Sequence, residues 1–112
     1  AMIPLLRQSE DASVIITGSG VSQVGKAYWG AYCVSKFATE GLMQVLADEL
    51  ESTSNIRVNS INPGATRTTM RAAAYPGENP NTLATPEEIM PLYLYLMGQD
   101  SKGTNGQALK AQ

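Results

Sequence analysis

Tyr32 and Lys36 are the residues of this 112-residue sequence whose types and spacing best suit proton transfer. Four residues apart on a helix, they stand on one face, one turn from each other. A tyrosine ionises near pH ~10, and an ammonium group within a few ångströms favours its phenolate form. Such a pair could serve as a general acid/base nearer neutral pH. Ser19 lies thirteen residues before Tyr32, in the small-residue loop Gly18-Ser19-Gly20-Val21-Ser22-Gln23-Val24-Gly25. Read singly, each has an ordinary alternative. Tyr-x-x-x-Lys also describes an amphipathic helix with a solvated lysine, and serine is a common turn residue.

These residues need a scaffold, and the pattern predicts one. Ser13-Val-Ile-Ile-Thr17 is β-branched with both faces apolar, which reads as a fully buried strand. From about Ala31 to Leu50 the period turns helical, with Ala38, Leu42, Val45, Leu46 and Leu50 at three- and four-residue spacing. Ile56–Ile61 is a second strand, ended by Asn62-Pro63-Gly64. Residues 65–84 read as a long, partly mobile loop. Thr85-Pro86-Glu87-Glu88 is a helix start with a capping box, and that helix runs through Pro91 to about Met97 and Gly98. Residues 104–110 read as a turn and a short third strand. Strand and helix alternate, which predicts an α/β fold with a parallel sheet. In such a sheet ligands bind beyond the carboxyl ends of the strands, where the Ser19 loop and the start of the Tyr32 helix would meet.

Composition narrows the functions. Lys+Arg number 8 against 10 Asp+Glu, for a net charge of −2, which argues against an electrostatic nucleic-acid binder. No run reaches the ~18 apolar residues of a membrane span, and Ala1–Glu10 lacks the pattern of a secretory signal. One cysteine, Cys33, excludes an internal disulfide and suits a reducing compartment. With no histidine, the usual zinc ligands are missing and no metal site is expected. Cys33 beside Tyr32 is better read as a small buried side chain than as a redox group. Tyr28 and Trp29 suit a substrate cleft or core cover equally. Arg67 and Arg71 read as surface charge before a phosphate or carboxylate site, and Glu87 and Glu88 as helix-start residues.

Taken in register, the motifs resemble those of the short-chain dehydrogenases/reductases. Ser19, Tyr32 and Lys36 match the Ser…Tyr-x-x-x-Lys signature. Pro63-Gly64-Ala65-Thr66-Arg67-Thr68 is similar to the Pro-Gly-x-x-x-Thr stretch after the next strand, and Gly106-Gln107 precedes the last strand. The run WGAYCVSKFATEGLMQVLADEL resembles the YciK-type branch of bacterial oxidoreductases in particular. The resemblance implies the C-terminal half of a doubly wound Rossmann-like domain. It implies hydride transfer between NAD(P)(H) and a carbonyl/alcohol substrate, with Ser19, Tyr32 and Lys36 catalytic. Tyr32, Lys36, Pro63, Gly64, Thr66 and Thr68 would bind the cofactor. That cofactor would be NAD or NADP, undiscriminated, with NADP slightly favoured. A cytoplasmic homo-oligomer, dimer or tetramer, with neither nucleic acid nor membrane as partner, is expected.

The sequence departs from the family in one large respect. Gly18-x-Gly20 continues with Val21, Ser22 and Gln23, so it does not complete the Gly-x-Gly-x-x-Gly turn that cradles a pyrophosphate. The residue that would select NAD or NADP and the family's catalytic asparagine are also not found. Ala1–Arg7 reads as the end of a helix. Residues 1–112 are therefore expected to be the C-terminal part of a single domain, lacking the N-terminal dinucleotide-binding half. The alternative is a truncated, catalytically silent interaction module. Ser22 stands where glycine is common, and is expected to be tolerated if the backbone there needs no positive φ.

Overall fold

Backbone pairing places the β-branched segments side by side. In the computed structural model, which describes residues 1–112, β1 (Ala12–Thr17), β2 (Ile56–Asn62) and β3 (Ala108–Lys110) form a parallel sheet in the order β1-β2-β3. Thr17 is in register with Ile61, and Ser60, Ile61 and Asn62 with Ala108, Leu109 and Lys110. All three strands thus end on the same side, where Gly18, Pro63 and Ala111 continue the chain. β2 is the central strand, and Ile56–Ile61 are all buried.

Helix α2 (Gly30–Glu51) covers one face of the sheet. Met43, Ala47 and Leu50 pack there with Ala12, Ile56 and Val58. Met43 and Val58 are completely enclosed, and burying each contributes about 1.5–3 kcal/mol. On the opposite face lies α4 (Pro86–Met97), whose Tyr93 hydroxyl meets Thr17 Oγ1 at 3.2 Å. Both faces are covered, as a parallel sheet requires. Arg57 points to the α4 side. It pairs with Asp11 and donates to the Gly98 carbonyl at 3.2 Å.

Three details differ from the sequence reading. The segment 65–84 is folded rather than loose. Thr68 caps α3 (Thr69–Ala74), accepting from the Arg71 N–H at 3.1 Å, and Pro80–Thr82 forms a 3-10 turn. Arg67 N–H donates to the Ala84 carbonyl at 2.8 Å, closing the segment into a loop with its own hydrogen bonds. The buried stripe of α2 is Cys33, Glu40, Met43, Ala47 and Leu50, while Leu42 and Val45 are more than half exposed. Several stripes of this helix are apolar, so period alone does not decide which one faces the sheet. Lastly, β1 is an edge strand. Only Ala12 is buried in it, and Thr17 is exposed. The capping box at Thr85 and Glu88 is present as expected, with both reciprocal hydrogen bonds. Residues Ile3–Leu6 form α1, a single helical turn.

Candidate active site

The three strand ends place the candidate residues together. β1 ends at Thr17, and Gly18 N–H still donates to the Ile61 carbonyl at 2.8 Å. The chain then turns at Ser19, which caps the 3-10 turn Gly20–Ser22. Ser19 is extended (φ −157°), and its Oγ accepts from Val21 N–H at 3.4 Å. Its hydroxyl hydrogen has no acceptor in the chain and is free to donate to a ligand. Ser22 is buried, and the sequence reading gave it no bracing role. Its Oγ accepts from Ser19 N–H at 2.8 Å, so it locks the turn that presents Ser19. A Ser-x-x-Ser spacing ahead of a short turn was the available signal. Ser22 lies in a right-handed 3-10 turn without positive φ, as tolerance of a serine required.

Helix α2 brings Tyr32 and Lys36 to this end of the sheet, both half-buried. Lys36 Nζ donates to the Thr17 carbonyl at 3.1 Å and lies 5.8 Å from the Tyr32 ring centre. The ammonium is therefore held between the strand end and the tyrosine. One turn further along α2, buried Glu40 accepts from Ser60 Oγ at 2.9 Å and ties the helix to β2. A buried carboxylate gains from such a partner because burial alone would cost it its hydration. No spacing in the sequence signals this cross-element contact.

Beyond β2, Asn62 Oδ1 accepts from Gly64 N–H at 3.0 Å, and Gly64 sits at φ +75°, a left-handed conformation suited to glycine. The Gln112 amide donates to the carbonyls of Pro63 at 2.7 Å and Ala65 at 3.1 Å, bracing the turn from the end of β3. Sequence offered no cue for that brace. Thr66 is buried and donates to the Gly64 carbonyl at 3.3 Å, whereas Thr68 is committed to capping α3. The main-chain N–H groups of Ala65 and Thr66 meet no acceptor in the chain.

An aromatic and cationic cluster borders this end. Trp29 meets the Tyr32 ring edge-on at 5.6 Å and the Tyr75 ring at 5.9 Å. Tyr28 is fully exposed, with φ +68°. Arg71 holds Glu78 through two hydrogen bonds of 2.7 and 2.8 Å. Those bonds raise the Arg71 pKa and hold the Glu78 carboxyl below the usual carboxylate range. Arg71 is thus already neutralised. Cys33 is buried, with Sγ near the Lys26 carbonyl, as a packing residue would be. A cavity of about 470 Å³ lies at the other end of the strands around Asp11, Asn55 and Lys102, away from these groups.

A parallel α/β sheet with Ser, Tyr and Lys gathered beyond its carboxyl ends defines a class. The family model described as short chain dehydrogenase matches residues 1–79. The chain belongs to the short-chain dehydrogenase/reductase family. Among individual proteins, it is 56% identical over 112 residues to the oxidoreductase YciK of Escherichia coli, covering 100% of this chain and 44% of that one. It superposes with a TM-score of 0.96 on a protein described as a short chain dehydrogenase from Pseudomonas syringae, at 68% identity, covering 100% of this chain and 45% of that one. A crystal structure of an Escherichia coli relative complexed with NADPH matches with a TM-score of 0.95 at 56% identity, over 100% and 46% of the two chains. The chain spans less than half the length of these relatives.

Proposed function

We propose that this chain carries the proton-transfer end of an NAD(P)(H)-dependent oxidoreductase that interconverts a carbonyl and an alcohol. The observation that carries the reading is Lys36 Nζ donating to the Thr17 carbonyl and lying 5.8 Å from the Tyr32 ring centre, with Ser19 two residues past Thr17 keeping a hydroxyl hydrogen to donate. Tyr32 passes a proton to or from the substrate oxygen. Ser19 donates to the same oxygen and orients it. Lys36 holds the ribose hydroxyls and the tyrosine.

The residues fit the nicotinamide end of the cofactor. The Pro63-Gly64 turn stands beyond β2, and the unpaired N–H groups of Ala65 and Thr66 suit a carboxamide acceptor. Thr68, occupied as a helix cap, supports the loop and leaves binding to its neighbours. The bound cofactor supplies or takes the hydride; the protein orients and tunes. For the pyrophosphate the fit fails among these residues, since no glycine turn opens a long helix. We therefore assign residues 1–112 to the C-terminal part of a single domain whose dinucleotide-binding half is supplied by chain outside this segment. The NADPH-complexed relative supports NADP over NAD. An exposed apolar stripe on α2, including Val34, Phe37, Leu42 and Val45, supports a homo-oligomer. No helix is long and apolar enough to cross a membrane, and the single reduced thiol fits a cytoplasmic setting.

The test is reduction of an aromatic aldehyde by the natural full-length protein, followed through loss of reduced-nicotinamide absorbance. Tyr32→Phe is expected to lower kcat about 10²–10⁴-fold while NADPH still binds. Turnover undiminished in Tyr32→Phe would sink the assignment.

A further inference from the structure

Lys26 is a cation without an anion. Its ammonium donates to the Tyr75 hydroxyl at 2.8 Å and lies 4.6 Å above the centre of the Trp29 ring. The ion pairs within residues 1–112 are Arg57 with Asp11 and Arg71 with Glu78, so no carboxylate of this segment neutralises Lys26. Arg71, stacked on the Tyr75 ring at 3.7 Å, is neutralised by Glu78. The cluster of Lys26, Arg71 and Glu78 therefore carries a net positive charge, concentrated on Lys26.

That charge is held in place. The Lys26 carbonyl accepts from Trp29 N–H at 3.2 Å, and Cys33 Sγ approaches the same oxygen. Trp29 then contacts Tyr32 edge-on. The separations of 4.6 Å from ammonium to the Trp29 ring centre and 5.6 Å from there to the Tyr32 ring centre, end to end, bound the distance from the charge to the Tyr32 ring centre. One aromatic ring bearing two substituents spans a gap of that order. An ammonium already ordered by the Tyr75 hydroxyl and the Trp29 ring loses little further freedom on meeting an anion.

We propose that Lys26 anchors an anionic group of the substrate, so that the oxidoreductase takes carbonyl or alcohol compounds that also carry a carboxylate. This rests on the dehydrogenase reading above and names the substrate class within it. Lys26 would touch the substrate and Tyr75 would position Lys26 through its hydroxyl. The chemistry is a charge-assisted hydrogen bond beside the Trp29 ring, distal to the reacting oxygen at Ser19 and Tyr32.

The probe pair is 4-carboxybenzaldehyde and its methyl ester, titrated by calorimetry into the natural full-length protein saturated with NADP. The acid is expected to bind at least about tenfold more tightly than the ester, and Lys26→Met to weaken the acid about tenfold, erasing the preference. Tyr75→Phe should give a smaller loss in the same direction. Equal affinity for acid and ester, no saturable binding of the acid, or an acid affinity unchanged by Lys26→Met would each overturn the proposal. NADPH oxidation measured with the same aldehydes separates the two readings. If the acid binds through Lys26 but neither aldehyde is reduced, the anion anchor stands and the oxidoreductase reading falls.

Discussion

Lys36 Nζ donates to the main-chain carbonyl of Thr17 at 3.1 Å, joining α2 to the end of β1. The acceptor is backbone, so side-chain substitution at Thr17 leaves it in place. A lysine that would otherwise sweep through solvent is thereby kept near Tyr32. Lys36→Met is expected to lower kcat/KM on the order of a hundredfold, as loss of one preorganised donor does. Lys36→Arg should restore little, because a planar fork cannot occupy the site of a compact ammonium. Steady-state kinetics of both variants check this, and full activity in either would remove Lys36 from the site.

Gly64 combines a φ of +75° with close contact to Gln112. A Cβ there would lie 2.8 Å from Gln112 Nε2 and 3.1 Å from its Cδ. Gly64→Ala must therefore enter a left-handed conformation, at about 1–2 kcal/mol, and displace the Gln112 brace. Unfolding by urea should show the stability loss, and NADPH titration a weaker Kd. Gly64→Asn should lose less stability, since asparagine tolerates that conformation better, yet still weaken NADPH.

Arg57 is buried on β2, paired with Asp11 and bonded to the Gly98 carbonyl at the end of α4. Arg57→Met leaves Asp11 without its cation and should cost about 3 kcal/mol. Adding Asp11→Asn should recover part of that loss. A urea midpoint unchanged in Arg57→Met would show that the pair does not hold α4 to the sheet.

The Arg71–Glu78 pair sets a pH dependence of the loop beneath Tyr75. The guanidinium hydrogen-bonds the Glu78 carboxylate and lowers its pKa in the folded chain from the usual 4.5. The native state thus binds fewer protons than the unfolded state around pH 4.5. The contribution to stability is fully present above the unfolded value and is lost as pH falls through the lower folded value. Carbon NMR of the Glu78 carboxyl should show a midpoint below 4.5, and Arg71→Gln should return it to the ordinary range. A midpoint at or above 4.5 in the parent chain would contradict the pairing.

Much of the scaffold was legible in the sequence because its signals are local. The apolar run at Val14–Ile16, the capping box at Thr85 and Glu88, and the Tyr32–Lys36 spacing each act within one element. Propensity, capping and helical period are properties of neighbours along the chain. The candidate trio was legible for the same reason, since strand, turn and helix follow in order. The segment 65–84 was misread as loose because small residues hide α3, although Thr68 three residues before Arg71 marks its start.

Tertiary structure alone decided which face of α2 meets the sheet, because Leu42 and Val45 are as apolar as the Met43 and Ala47 that are buried. It also decided that Ser60 would satisfy Glu40, that Gln112 would brace Pro63 and Ala65, and that Tyr75 would meet Lys26 and Trp29. In each case the partners lie 20 to 49 residues apart in the chain, except where Trp29 and Lys26 share one turn. Such contacts depend on how helices and strands stack, through shape and burial summed over the whole core. The sequence thus marked the candidate residues and the elements that carry them, while packing determined which groups brace them and where the unpaired Lys26 charge stands.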